Sequence, residues 1–134
     1  MDRKIGALSL RELAGFFLLV GLLLAGLLLS WYLGRQQGQV CDALEDSAWL
    51  ALSGQWENAR NTAEDARRQW EQNWHLRAAV TDHKPMEEID SLFGELAIYS
   101  AAGAQTEFAR TCTALSRRLN ALTQSQTLTW WNVL

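Results

Sequence analysis

The sequence predicts an all-α protein: one N-terminal transmembrane helix followed by an antiparallel bundle of about four helices. Three observations predict it. Residues 13–34, LAGFFLLVGLLLAGLLLSWYLG, carry no charged side chain. Beyond them apolar residues recur at spacings of three and four, the period of a helix face. Only one proline, Pro85, interrupts the 134 residues, and no run alternates at the period of two that marks a strand.

The uncharged run is bounded by Glu12 and Arg35. As a helix it extends ~33 Å at 1.5 Å per residue, against a hydrocarbon core of ~30 Å. Backbone polar groups at that depth must be paired within the segment, which a helix alone achieves for a single span. Trp31 and Tyr32 mark its end as membrane-interface residues, where amphipathic rings favour the headgroup boundary. The run exceeds the ~7–15 apolar residues of a cleaved signal, and Val40 before Cys41 is not the small residue a lipoprotein signal requires. An uncleaved signal-anchor is the expectation. Arg3, Lys4 and Arg11 precede the span, and only Arg35 closely follows it, ahead of Asp42, Glu45 and Asp46. Basic residues stay cytoplasmic, so the expected organisation is a short cytoplasmic N-terminus (1–12), the span (13–34) and an extracytoplasmic domain (35–134) in the cell membrane. Gly21 with Ala25 and Gly26 with Ser30 place small residues at helical spacing. Such pairs can admit a second helix, but Gly and Ala are common in membrane helices generally.

Residues 35–134 hold 9 basic and 13 acidic side chains, a balance that argues against nucleic acid or an anionic lipid surface as the main partner. One compact domain is expected. Its first helix shows Val40, Leu44, Ala48 and Ala51 on one face and ends at Ser53-Gly54. The second carries Trp56, Ala59, Ala63, Ala66, Trp70 and Trp74, with Glu64, Arg67 and Arg68 on other faces, and should run to about Thr81. Asp82-His83-Lys84-Pro85 then breaks the pattern, proline suiting the first turn of a new helix. The third stripe is Met86, Ile89, Leu92, Phe93, Leu96 and Tyr99. After a turn at Gly103 the fourth is Phe108, Cys112, Leu115, Leu119 and Leu122. Short connections make neighbouring helices antiparallel.

Two cysteines remain, Cys41 and Cys112. An extracytoplasmic domain permits a disulfide between them; the alternative is two buried thiols serving as small apolar residues. Counted down from the outer helix ends, their depths are ~18 and ~12 Å. The antiparallel path also returns the apolar C-terminus toward the membrane. Trp130 and Trp131 there either pack across the base of the bundle or join Trp31 and Tyr32 at the bilayer surface.

Asp82, His83, Glu87, Glu88 and Asp90 form the one dense polar cluster, with His75 upstream. His and carboxylates can ligate metal or transfer protons, which makes His83, Asp82 and Glu87 the metal-ligand candidates. Neither His-x3-His nor Cys-x2-Cys spacing is present, and a turn whose side chains cap helix ends explains the same residues. Six tryptophans outside the span can form a cage for a sugar or quaternary ammonium group, but tryptophan alternating with alanine is also ordinary bundle packing. No nucleophile–base–orienter set or phosphate loop is present, so neither catalytic residues nor a cofactor are expected.

The segment Ala48-Trp49-Leu50-Ala51-Leu52-Ser53-Gly54-Gln55-Trp56-Glu57-Asn58-Ala59 resembles the turn inside a tetratricopeptide repeat, although a single unit is not an array. Over nearly its full length the chain is similar to the bacterial domain-of-unknown-function family 4363, short membrane-anchored proteins of spore-forming Gram-positive bacteria. The span, Gly54-Gln55-Trp56-Glu57-Asn58-Ala59, Trp70 with Trp74, Asp82-His83, Glu88-Ile89-Asp90, Leu96 with Tyr99, and Leu128-Thr129-Trp130-Trp131-Asn132-Val133-Leu134 carry the resemblance. It implies a helical extracytoplasmic domain and an accessory role beside other envelope proteins, without an established activity. The expected function is therefore that of a non-enzymatic accessory or scaffold protein. Its expected partners are the lipid bilayer and another membrane or envelope protein, or itself. A small-molecule or metal sensor using the Asp82/His83 turn and nearby tryptophans is the alternative.

Overall fold

The computed structural model describes residues 9–80 and 83–133, the side chains at 80 and 126–133 excepted. Among the described residues the fold is all-α, with five helices: α1 (Leu10–Leu52), α2 (Trp56–Gln72), α3 (Trp74–Val80), α4 (His83–Ala102) and α5 (Gln105–Val133). The chain divides into two compact units, Met1–Tyr32 and Leu33–Leu134.

In the first unit α1 opens on a reciprocal cap: the Ser9 amide donates to Glu12 Oε2 (2.9 Å), and the Glu12 amide donates to Ser9 Oγ (3.4 Å). This Ser-x-x-Glu box satisfies two amides that the first turn leaves without carbonyl partners. The apolar run beyond it is exposed, Phe16, Leu19, Leu22 and Leu28 among its residues. It is long and apolar enough to cross a bilayer.

The second unit is the helical bundle. Its part of α1 buries Leu33, Val40, Leu44, Ala48 and Ala51 on one face. The helix stops because Gly54 turns to φ +84°, a conformation that costs glycine nothing. The Gln55 amide then reaches Leu50 O (2.9 Å) and the Gly54 amide Ala51 O (3.4 Å), the paired bonds of a Schellman stop. Gly103 (φ +69°) ends α4 similarly, with the Ala104 amide on Tyr99 O at 3.1 Å.

α2 buries Ala59, Ala63, Ala66 and Trp70, α4 buries Met86, Ile89, Phe93 and Leu96, and α5 buries Phe108, Cys112, Leu115, Leu119 and Leu122. These residues belong to the predicted stripes, although Trp74 of the α2 stripe is exposed, and together with the α1 face they make one core. Small residues on α2 let the backbones approach: Ser47 Oγ donates to the Ala59 carbonyl at 2.6 Å. The rings of Trp56 and Phe108 meet edge to face at 4.9 Å.

Two expectations need correction. The first bundle helix is not separate from the span, since both belong to α1. The second helix does not run to Thr81: Asn73 adopts φ −103°, ψ 11° and its amide bonds Glu71 O, so a seven-residue α3 follows. α4 starts at His83. Pro85 still falls within the first turn, where its missing N–H breaks no helical bond.

Candidate functional site

Two of the three metal-ligand candidates lie among the described residues. His83 and Glu87 are exposed, and Glu88 pairs with Arg118 at 3.1 Å. Asp82 lies outside the described residues. Among the described residues no three His, Cys, Asp or Glu side chains form a group able to hold a metal ion. Asp90 instead joins helices: its Oδ1 accepts the Trp70 indole N–H (2.8 Å) and its Oδ2 that of Trp74 (3.3 Å). His75 meets the Trp74 ring edge-on at 5.6 Å.

The tryptophans divide by environment. Trp70 is 1% exposed and packs beside Phe93, whereas Trp74 is 38% exposed. A shallow groove of about 310 Å³ runs past both, bordered by Arg67, Glu71 and Phe93. Its neighbour, about 200 Å³, lies between α2 and α4 over Ala63, Leu96 and Phe108. Arg60 crosses that cleft, its Nε–H donating to Ser100 Oγ at 3.1 Å. Of the interface candidates, Trp31 and Tyr32 are exposed; the Trp130 and Trp131 side chains lie outside the described residues.

The apolar periodicity passes over several buried polar groups, Arg77, Gln37 and Ser116 among them. Arg77 is 3% exposed, with its guanidinium carbon 4.2 Å from the centre of the Trp70 ring. None of its Nε, Nη1 and Nη2 atoms has a hydrogen-bond partner among the described residues. Burial pushes the guanidinium down from 12.5 to about 10, opposed in part by Cys41. On α1, Cys41 Sγ–H points to the Ser116 carbonyl (3.7 Å), while Ser116 Oγ–H donates to Glu45 Oε1 (2.7 Å). Gln37, buried one turn below, has its Oε1 3.4 Å from the Thr123 hydroxyl.

The two thiols are free and buried. Cys41 stands level with Ser116, and Cys112 reaches up to Ser47 Oγ at 3.9 Å. Along antiparallel α1 and α5 this separates the cysteines by about four to six residues, roughly 6–9 Å of rise. That offset adds to the ~8–10 Å between packed helices, far from the Cα separation of under ~7 Å that a disulfide needs. Burial raises Cys41 from 9.0 to about 11 and Cys112 to about 12. Since the thiolate is the nucleophile, maleimide at pH 8 should label neither cysteine in the folded protein. Both should react in denaturant without reductant, as read by mass. The sign with pH follows from linkage: neutral burial of the thiols contributes its full stability below pH 9, and that stability is lost as pH rises through 11–12. Arg77 works oppositely, because deprotonation above pH 10 relieves its burial. Thermal midpoints should thus fall from pH 9 upward, and fall less in a Cys41→Ala/Cys112→Ala variant.

No family model, curated protein or solved structure matches this chain. The class that its own geometry defines is a small all-helical domain with a packed core, next to an apolar helix suited to a membrane.

Proposed function

We propose that this chain is a non-enzymatic, bitopic membrane protein whose helical bundle serves as an accessory or scaffold component for a partner in the cell envelope. The observation that carries the reading is a contrast within α1. Its first half is apolar and exposed, as a lipid-facing span must be, while its second half is buried in a closed core. The span is read as an uncleaved signal-anchor, with Arg3, Lys4 and Arg11 keeping the N-terminus cytoplasmic and the bundle extracytoplasmic. The Schellman turn at Gly54, with Ser47 against Ala59, is where we place the tetratricopeptide-like hairpin of that scaffold. Membership of family 4363 remains part of this proposal, on the residues that carry the resemblance.

The test uses the full chain in cells with an epitope at its C-terminus. Protease added to intact protoplasts should remove the epitope, and the purified protein should retain residues 1–34 by mass. Chemical crosslinking in membranes, followed by mass spectrometry, should give a defined adduct with one envelope protein or with a second copy. A protected epitope would overturn the orientation, and a wholly uncrosslinked monomer would overturn the scaffold role.

A further inference from the structure

Arg77 presents an unsolved electrostatic problem. A buried guanidinium forfeits its hydration, and oxygen acceptors must replace that water. The Trp70 face offers a cation–π contact, and α2 and α3 both end near this point of the chain, which favours a cation. Neither gives the guanidinium N–H groups an acceptor. The neighbouring acids bear on Cys41, and Glu45 already accepts from Ser116. Cys41 itself stays a neutral thiol.

The height of Arg77 in the bundle identifies what kind of acceptor is at hand. With Ser47 opposite Ala59, antiparallel α2 brings Trp70 level with about residue 36 of α1, and Arg77 is also coupled to Cys41. Both positions lie within ~10 Å along the helix of residue 34, where the uncharged run ends. In a membrane, phosphate oxygens are concentrated at that depth. The planar fork of arginine binds such oxygens in pairs. Its flexible stem can carry the charged head several ångström while α3 stays packed.

We propose that the guanidinium of Arg77, seated on the Trp70 ring, is a binding site for a phosphate oxyanion at the span-side end of the bundle. The phosphate belongs either to an anionic lipid headgroup or to a free phosphate. Only the lipid arm rests on the membrane reading above; inorganic phosphate tests the site in its absence.

Thermal unfolding of the full chain in neutral detergent provides the test, with ionic strength matched by chloride. Inorganic phosphate is one arm and phosphatidylglycerol in mixed micelles is the other, with phosphatidylcholine as control. The wild-type midpoint should rise with at least one of the two phosphates, because a ligand that binds only the folded state stabilises it. A response to phosphatidylglycerol alone identifies the headgroup as the source, and one to inorganic phosphate identifies a free anion. Arg77→Met, which keeps the stem and removes the charge, should unfold at an equal or higher temperature without phosphate and show no shift with it. Arg77→Lys should retain a smaller shift, and Arg118→Gln on the exposed ion pair a full one. A wild-type midpoint that ignores both phosphates would overturn the site. So would a shift that survives in Arg77→Met.

Discussion

Trp70→Ala is expected to destabilise the bundle by about 3–5 kcal/mol, the range for removing a large aromatic side chain from a core. Domains of this size commonly have only ~5–15 kcal/mol in total, so much of the population unfolds at moderate temperature. Three elements meet on this indole. It is almost wholly buried against Phe93 of α4, its N–H donates to Asp90 at 2.8 Å, and its face carries the Arg77 guanidinium of α3. Truncation opens a cavity, leaves Asp90 with only the weaker Trp74 bond at 3.3 Å, and removes the Arg77 contact. Trp70→Phe separates these effects: it keeps most of the packing and a ring beneath Arg77, and should cost about 1–3 kcal/mol for the lost charge-assisted bond. Chemical denaturation of the full chain in detergent, followed by circular dichroism, measures both. A loss under ~1 kcal/mol for the alanine variant would mean that Trp70 is not part of the core.

The apolar stripes were readable because burial imposes a helical period on the sequence. Val40, Leu44, Ala48 and Ala51 are buried as their spacing predicts, and so are Phe108, Cys112, Leu115, Leu119 and Leu122. The gaps arise where a polar residue occupies a core position. Among the buried residues of α1, Leu33, Gln37, Val40, Leu44, Ser47 and Ala51 form an unbroken alternation of four and three, flanked by Cys41 and Ala48. Reading only apolar residues skips Gln37 and Ser47, although the phase alone marks them as inward.

The same rule explains the error at the end of α2. The buried phase runs Ala59, Ala63, Ala66, Trp70, Asn73 and Arg77, straight through the break at Asn73. Trp74 looked like the next core residue because it is apolar, yet it lies one position off that phase and is partly exposed. Arg77 was hidden because an arginine at an inward position conflicts with the usual cost of burying charge. That conflict is itself informative: residues that violate the local pattern are where a fold accommodates something besides packing. Downstream of His83 the polar side chains divide between partners. Residues close together along a helix point in several directions. Asp90 went to the indoles and Glu88 to Arg118.

The span supports an equally large prediction. Leu23→Arg combined with Leu24→Asp should abolish stable membrane integration. Residues 13–34 contain ten Leu, two Phe and one Val, each favouring insertion by roughly 0.3–0.6 kcal/mol, for a total of about 4–8 kcal/mol. A charged residue at the centre of the helix costs about 2.5–3.5 kcal/mol on the same scale. Two of them therefore cancel the whole driving force, and as adjacent residues on a helix they cannot relieve each other by pairing. Leu23 and Leu24 are exposed and make no part of the core, so the bundle should retain its helical circular dichroism and its cooperative unfolding. Carbonate extraction of membranes reads the outcome: the wild type stays in the pellet, and the double variant moves to the supernatant. Leu23→Ala, costing only a few tenths of a kcal/mol, should stay in the pellet. Retention of the charged variant after carbonate would show that something other than this span holds the protein to the membrane.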